Sequence, residues 1–178
     1  AFSTLVGQGK IRYCGMNAVG DTAMVHQALT AAHPFAVQAV YNLLNPSGSI
    51  NVPAGFPFQD YQCVMHAAAA QGIGVFAIRV LAGGALTGTA ARHPNASPPP
   101  TPMATSRTYT DDLERAQAFR FVIDDGYADS MAEASIRFVL SNPDISTALV
   151  GIASIEQLEQ ALASAAKGPL PTEVHEKR

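Results

Sequence analysis

Short apolar runs alternate with stretches of helical periodicity along most of the chain. Four of the runs predict strands, at residues 10–17, 35–42, 73–81 and 146–151. Apolar positions that recur every three or four residues predict helices, at residues 20–32, 58–71, 110–125, 130–142 and 154–166. Strands that alternate with helices in this way are typical of parallel βαβ units.

Polar residues mark where several of these helices begin. Asp21 is the expected N-cap of the helix at 20–32. Two later helices open with the capping-box pattern, Ser130 with Glu133 and Ser154 with Gln157. In a capping box each side chain accepts a hydrogen bond from the other residue's backbone, so we expect both helices to begin at these serines.

A long segment, residues 82–109, lacks regular periodicity. Its centre reads ASPPPTP, and consecutive prolines exclude both helix and strand pairing. We expect it to be either a functional lid or a flexible insertion, because it is too long for a simple connection. It opens with Gly83 and Gly84, which either permit a turn with positive φ or let the backbone approach a phosphate.

Length and apolar content bound the architecture. The chain has 178 residues, 48% of them hydrophobic, which predicts one domain over residues 1–178. The apolar runs are too continuous for a sheet with one wet face. Two architectures remain open from the pattern alone: a doubly wound open sheet, or part of a (β/α)8 barrel, which needs eight strands and about 250 residues when complete.

Charge and composition argue against several partners. The net charge is −3 and no cluster of Lys or Arg occurs, so we expect no nucleic-acid binding. The apolar stretches are shorter than the roughly 20 residues of a membrane helix, so we expect no membrane partner. Cys14 and Cys63 predict reduced thiols and a cytoplasmic protein. The five histidines form no metal-binding motif, so we expect no metal site.

The first residues, AFSTLVGQGK, lack a starting methionine and a signal peptide, and we expect a chain cut from a longer one.

Four stretches carry a family resemblance: GKIRYCGMN, VQAVYNLLNP, GIGVFAIRVLAGGALTG and ALVGIASIEQLEQAL. In order and spacing they resemble the fifth to eighth strands of the aldo-keto reductases, each with its following loop. The resemblance implies an α/β fold, the C-terminal half of a (β/α)8 barrel built from four parallel βα units. The stretch IRVLAGGAL, together with the RHPNASPPPTP loop, is most similar to a bacterial subgroup related to the sugar dehydrogenases of this family. The family resemblance implies an NAD(P)-dependent oxidoreductase that acts on aldehydes, ketones or sugars.

The resemblance also implies a set of cofactor-binding residues. Gln38 and Asn17 match positions that bond the nicotinamide amide, and Gly83 and Gly84 match a loop over the pyrophosphate. The full set that we carry over is Asn17, Gln38, Ile78, Arg79, Leu81, Gly83, Gly84, Gly151 and Gln157. For Arg79 two interpretations stay open: an anion contact, or a barrel arginine held in a salt bridge.

The chain departs from the family pattern at several of these positions. Asn17 is followed by Ala18 where the family has Ser-Asn, and Ile78 stands where an aromatic ring stacks on the nicotinamide. Gln157 and Ala161 occupy the places of the arginine and asparagine that hold the 2′-phosphate and adenine. We therefore expect NADP or NAD to bind with no preference for NADP. Gln157 also has a structural interpretation, as part of the capping box.

The family's catalytic tyrosine, lysine, aspartate and histidine all come from the first four strands, and no residue of this chain matches them. We therefore predict no catalytic residue here. Three hypotheses follow: part of a reductase completed by an N-terminal half, a half-barrel that binds nucleotide or phosphate without catalysis, or an assembly module that pairs through strand edges. Exposed edges predict a homo-oligomer or association with the N-terminal half. A small carbonyl compound or sugar would be the substrate once the other half is supplied.

Overall fold

The sheet organises the molecule. The computed structural model describes the backbone of residues 1–176 and the side chains of residues 1–174. Four parallel strands pair in chain order: β1 (Gly15–Asn17), β2 (Ala36–Val40), β3 (Gly74–Ile78) and β4 (Thr147–Ala148). The expected α/β fold with four parallel βα units is confirmed, and the sheet is open at β1 and β4.

The remaining regular structure of the described residues is helical. The α-helices are α1 (Phe2–Gly7), α2 (Thr22–Ala32), α3 (Val64–Ala69), α4 (Tyr109–Ala116), α5 (Phe121–Asp124), α6 (Met131–Leu140), α7 (Ile155–Ala166) and α8 (Thr172–Glu176). Two 3₁₀ segments, Ala82–Thr87 and Gln117–Phe119, lie between them. The sequence pattern did not predict α1 and α8, which are only one to two turns long.

The two faces of the sheet differ in environment. Val75 and Ala77 of β3 are fully buried beneath the helices. Side chains alternate between faces along a strand, so Gln38 and Phe76 lie on the opposite face. The register aligns Asn17 with Gln38, Gln38 with Phe76, and Phe76 with Thr147. One row of side chains therefore crosses all four strands on this second face, where Asn17, Gln38 and Thr147 are exposed. We call it the uncovered face.

The two edge strands are shorter than expected. We predicted strands at 10–17 and 146–151, but β1 has three residues and β4 has two. Each pairs on one side only, so half of its backbone groups find no partner strand. Single hydrogen bonds continue the pairing beyond the strand ends, for example from Leu149 N–H to the Ala77 carbonyl.

The predicted helix at 58–71 is also shorter, with only Val64–Ala69 helical in α3. Gln62 and Cys63 have positive φ values of 50° and 56°, which no helix tolerates. The Asp60 carboxylate accepts a hydrogen bond from Gln62 N–H, so an aspartate turn replaces the first helical turns.

The segment at 82–109 is not irregular throughout. It begins with the 3₁₀ segment Ala82–Thr87, and α4 starts at Tyr109. The predicted helix at 110–125 is divided into α4, the 3₁₀ turn and α5. We use the name proline loop for residues 88–108, which connect the 3₁₀ segment to α4.

The predicted N-caps form, but the capping boxes do so only in part. Asp21 accepts a hydrogen bond from Met24 N–H, as expected. Ser130 and Ser154 accept from the N–H groups of Glu133 and Gln157. The return bonds shift by one residue, because Glu133 accepts from Asp129 N–H and Gln157 accepts from Ala153 N–H. A box with both bonds occurs at Thr108 and Asp111 of α4, where it was not predicted.

Two further expectations concerned the state of the cysteines and the absence of membrane helices. Cys14 and Cys63 are both free thiols and half-buried. Among the described residues, no helix is long and apolar enough to cross a membrane.

Candidate functional site

A cavity of about 970 Å³ lies at the carboxyl end of β3. Its walls come from the 3₁₀ segment, the proline loop, α6, the residues after β4, and α7. Six residues carried over from the resemblance line it: Arg79, Leu81, Gly83, Gly84, Gly151 and Gln157. Its size and position fit the clefts that bind cofactors beyond the carboxyl ends of parallel strands.

The other three carried-over residues lie on the uncovered face of the sheet. Asn17 and Gln38 are register neighbours on β1 and β2. Ile78 ends β3 and directly precedes Arg79, where the cavity begins. Gln38 is exposed, and its amide forms no hydrogen bond with the described residues. Its polar atoms are therefore available to a ligand.

Gly83 and Gly84 require the conformations that only glycine adopts easily. Their φ values are 69° and 107°. A Cβ on Gly83 would lie 2.6 Å from Pro100 Cγ, and one on Gly84 would lie 2.8 Å from Arg92 Nη1. The glycines therefore form a tight turn and also let the proline loop pack closely against it. The Gly84 N–H already donates to the Leu81 carbonyl, so it is not free to bind a phosphate.

Arg79 occupies an unusual backbone position beside these glycines. Its φ is 59°, in the left-handed region, and its carbonyl accepts a hydrogen bond from Asn42 Nδ2 at 2.9 Å. Among the described residues, no carboxylate lies within salt-bridge distance of its guanidinium. The salt-bridged interpretation of Arg79 is thus not supported in the described part of the chain.

Asn42 belongs to a buried polar network that the sequence reasoning missed. Asn42, Asn45 and Ser47 are all 0% exposed. The Asn42 amide oxygen accepts from two backbone N–H groups, and Asn45 donates to the Gln59 and Ala104 carbonyls. The network ties the loop after β2 to the end of β3 and to the proline loop. Its signal was present in the sequence as the polar residues of YNLLNPS.

Gln157 lies in the cavity wall and also caps α7. Its backbone N–H donates to Ser154 Oγ, and its side-chain oxygen accepts from Ala153 N–H at 2.8 Å. These bonds confirm the structural interpretation of Gln157 as a capping residue. Because position 157 is a glutamine, α7 has no basic side chain there that could bind a 2′-phosphate.

The far end of the cavity holds charges that neutralise one another. Lys167 Nζ lies 2.7 Å from carboxylate oxygens of both Asp129 and Glu133, and Arg137 Nη1 lies 2.9 Å from Glu133. Burial by itself raises the pKa of Glu133, but the hydrogen bonds from Lys167 and Arg137 outweigh it and lower the pKa. The hydrogen bonds to Asp129 and Glu133 raise the pKa of Lys167. In the described part of the chain, no group of three or more His, Cys, Asp or Glu residues is placed to hold a metal ion.

Comparison with models of protein families identifies the family of the chain. The model of the aldo/keto reductase family matches residues 1–177. The chain belongs to the aldo/keto reductase family. The resemblance found in the four sequence stretches is therefore confirmed. No curated protein matches this aldo/keto reductase chain.

Solved aldo/keto reductases share the fold. Aldo-keto reductase AKR11C1 from Bacillus halodurans, in its holo form, is 16% identical with a TM-score of 0.66, covering 99% of this chain and 52% of that one. The glycerol dehydrogenase AKR11B4 from Gluconobacter oxydans is 18% identical with a TM-score of 0.65, covering 98% and 50%. These neighbours are (β/α)8 barrels, and the chain spans about half their length. The open four-stranded sheet is thus half of such a barrel.

Proposed function

We propose that this chain binds a nicotinamide dinucleotide, NAD or NADP, and supplies the cofactor side of an aldo/keto reductase barrel. One observation carries the proposal: a single cavity at the carboxyl end of the sheet gathers Arg79, Leu81, Gly83, Gly84, Gly151 and Gln157. They come from segments separated by about 70 residues, and all of them belong to the set carried over from the resemblance as candidate cofactor-binding residues.

The residues on the uncovered face complete the proposed site. Gln38 and Asn17 would bond the nicotinamide carboxamide, since their amide groups offer both donors and acceptors. Ile78 would pack against the nicotinamide ring. A bound NAD(P)H supplies a hydride to a carbonyl carbon. The contribution of this chain is to hold the ring over the sheet face, where a substrate can meet it.

The acid that protonates the carbonyl oxygen is proposed to come from the other half of the barrel. Tyr41 is 2% exposed and stacks on Phe138 at a centroid distance of 5.1 Å, so its ring packs in the core. Aldehydes, ketones or sugars are the proposed substrates. The neighbour called a glycerol dehydrogenase supports small hydroxylated compounds within this group.

The test is a titration of the purified chain with NADH and NADPH, followed by nucleotide fluorescence. We expect binding without carbonyl reduction. Gln38→Ala weakens binding by about tenfold, because it removes a bidentate amide contact. Gly84→Val abolishes binding, because its φ of 107° and the Arg92 contact exclude a side chain. Gln27→Ala is the matched control, since Gln27 is an exposed glutamine on α2.

Two results would contradict the proposal. If the unchanged chain binds neither nucleotide, the cavity is not a cofactor site. If the verified 178-residue species reduces an aldehyde, and Gln38→Ala lowers that activity, the chain holds its own acid.

A further inference from the structure

A second and much smaller space adjoins the main cavity. Its volume is about 10 Å³, and Asn42, Arg79, Pro100, Thr105 and Asp112 contribute to its lining. Arg79 and Pro100 also line the main cavity, so the two spaces share part of their walls. We call the smaller space the inner chamber.

Asp112 brings a buried carboxylate to the inner chamber. The residue is 0% exposed, and its Oδ2 accepts a hydrogen bond from Thr105 Oγ1 at 2.6 Å. Its Oδ1 accepts no hydrogen bond from the described residues. Arg115 Nη1 lies 3.8 Å from Oδ1, which is too far for a hydrogen bond. Because a buried polar atom without a partner destabilises the folded state, Oδ1 requires a donor.

Two groups with N–H donors line the same chamber. Asn42 Nδ2 carries two N–H groups and donates one of them, to the Arg79 carbonyl. The Arg79 guanidinium forms no ion pair with the described residues. Arg79 Nη1 and Pro100 Cγ lie 3.9 and 2.6 Å from the same point, the Cβ position of Gly83. The guanidinium therefore lies beside Pro100, at the edge of the inner chamber.

We propose that the inner chamber binds one water molecule, which joins the Asp112 carboxylate to the Arg79 guanidinium. The water donates to Asp112 Oδ1 and accepts from Arg79 and from the second N–H of Asn42. A buried water usually has about three such partners, and a polar chamber of about 10 Å³ has room for one water. Asp112 is thus a positioning residue, since the bridge fixes Arg79 in the wall of the main cavity.

The charges around the inner chamber favour water over a metal cation. Arg115 Nη1 lies 3.8 Å from Asp112 Oδ1, and Arg79 lines the chamber as well. A cation would face two guanidinium groups and a single carboxylate, whereas Ca²⁺ and Mg²⁺ take about six or more oxygen ligands. Water is uncharged and both donates and accepts, so it meets the carboxylate and the N–H donors together.

A crystal structure of the 178-residue chain, at a resolution that shows ordered water, tests the site directly. We expect density for one water within about 3.2 Å of Asp112 Oδ1. The inference concerns only this chain and water, so it does not depend on nucleotide binding and its failure would leave the proposed function standing.

A double-mutant cycle with Asp112→Asn and Arg79→Gln tests the bridge. Urea denaturation gives the equilibrium constant for unfolding of the unchanged chain, of each single variant and of the double variant. We expect each single substitution to raise this constant by about 5- to 50-fold. The double substitution should raise it about fivefold less than the product of the two, because residues that share a hydrogen-bonded partner are coupled. In the control cycle Asp124→Asn replaces Asp112→Asn, and the effects should multiply, since Asp124 is exposed.

Three results would overturn the inference. The first is a crystal structure with no water in the inner chamber, and this result decides the question even if a variant fails to fold. The second is a bound water together with effects of Asp112→Asn and Arg79→Gln that simply multiply, because the water would then not join the two side chains. The third is a metal ion in the chamber, recognised by contacts of about 2.0 to 2.6 Å to oxygen.

Discussion

At the scale of single residues, Asn42 determines how Arg79 is presented to the cavity. The left-handed backbone at Arg79 is unfavourable for a residue with a Cβ, and the bond from Asn42 to the Arg79 carbonyl helps to hold it. The same amide organises its own loop through two backbone N–H groups. From sequence, Asn42 is one polar residue in an apolar stretch, so its burial is predictable but its partner, 37 residues away, is not.

Asn42→Ala should lower the free energy of unfolding by about 1–3 kcal/mol, because it leaves buried backbone groups without partners. Urea denaturation measures this loss. The control is Asn51→Ala, since Asn51 is exposed. We also expect weaker nucleotide binding in the folded variant, as Arg79 loses its support. A free energy of unfolding equal to that of the unchanged chain would show that the network does not stabilise the loop.

At the scale of elements, α6 and α7 are joined by a charge cluster that the helical pattern did not reveal. Glu133 was predicted only as part of a capping box. The structure instead makes its carboxylate the common acceptor of Arg137 on α6 and Lys167 at the end of α7. Arg137 also donates to the carbonyls of Gly168 and Pro169. The cluster therefore fixes the end of α7 against α6, which are two walls of the cavity.

Glu133→Gln should destabilise the chain by about 1–3 kcal/mol at pH 7, because it removes charged hydrogen bonds at a buried site. The pKa of Glu133 is lower in the folded chain than its ordinary value of 4.5. Its contribution is therefore fully present above pH 4.5 and is lost as the pH falls through the folded value.

Circular dichroism tests this dependence by following the unfolding of the unchanged chain and of the Glu133→Gln variant at pH 7 and at pH 3 to 4. The difference between the chains should be largest at pH 7 and smaller in acid. Glu114→Gln, at an exposed position of α4, serves as the control. A difference that stays constant with pH would mean that the charge of Glu133 does not contribute.

At the scale of the whole molecule, exposed apolar side chains gather beside the two open edges of the sheet. Near β1 in sequence, Tyr13 and Phe35 are 59% and 57% exposed and stack on each other at 3.9 Å. After β4, the exposed apolar residues are Leu149, Ile152, Ile155, Leu158 and Leu162. The last three recur at helical spacing on one face of α7. Both edges therefore present strand hydrogen-bonding groups next to apolar surface, as a half-barrel that lacks its complement would.

We predict that the chain does not remain a monomer by itself. It should associate with a second copy or with the other half of a barrel, because both edges offer unpaired backbone groups. Multi-angle light scattering measures the mass, and a stable species of 18.6 kDa would contradict the prediction. Leu158→Glu should shift the population toward the monomer. Met24→Glu, on α2 away from the edges, should not, although Met24 is 58% exposed.

The sequence by itself determined that four strands alternate with helices, but the pattern alone left the order of the strands open between two architectures. Periodicity and N-caps act between residues close in the chain, so the caps at Asp21, Ser130 and Ser154 were predictable, as were the four strands and their parallel arrangement. Strand lengths at the edges were not, because they depend on whether a neighbouring strand exists. Only the tertiary structure placed Arg92 against the glycine pair. Arg92 belongs to the proline loop, which has no regular periodicity. Packing against Gly83 and Gly84, and not local preference, therefore determines where its side chain lies.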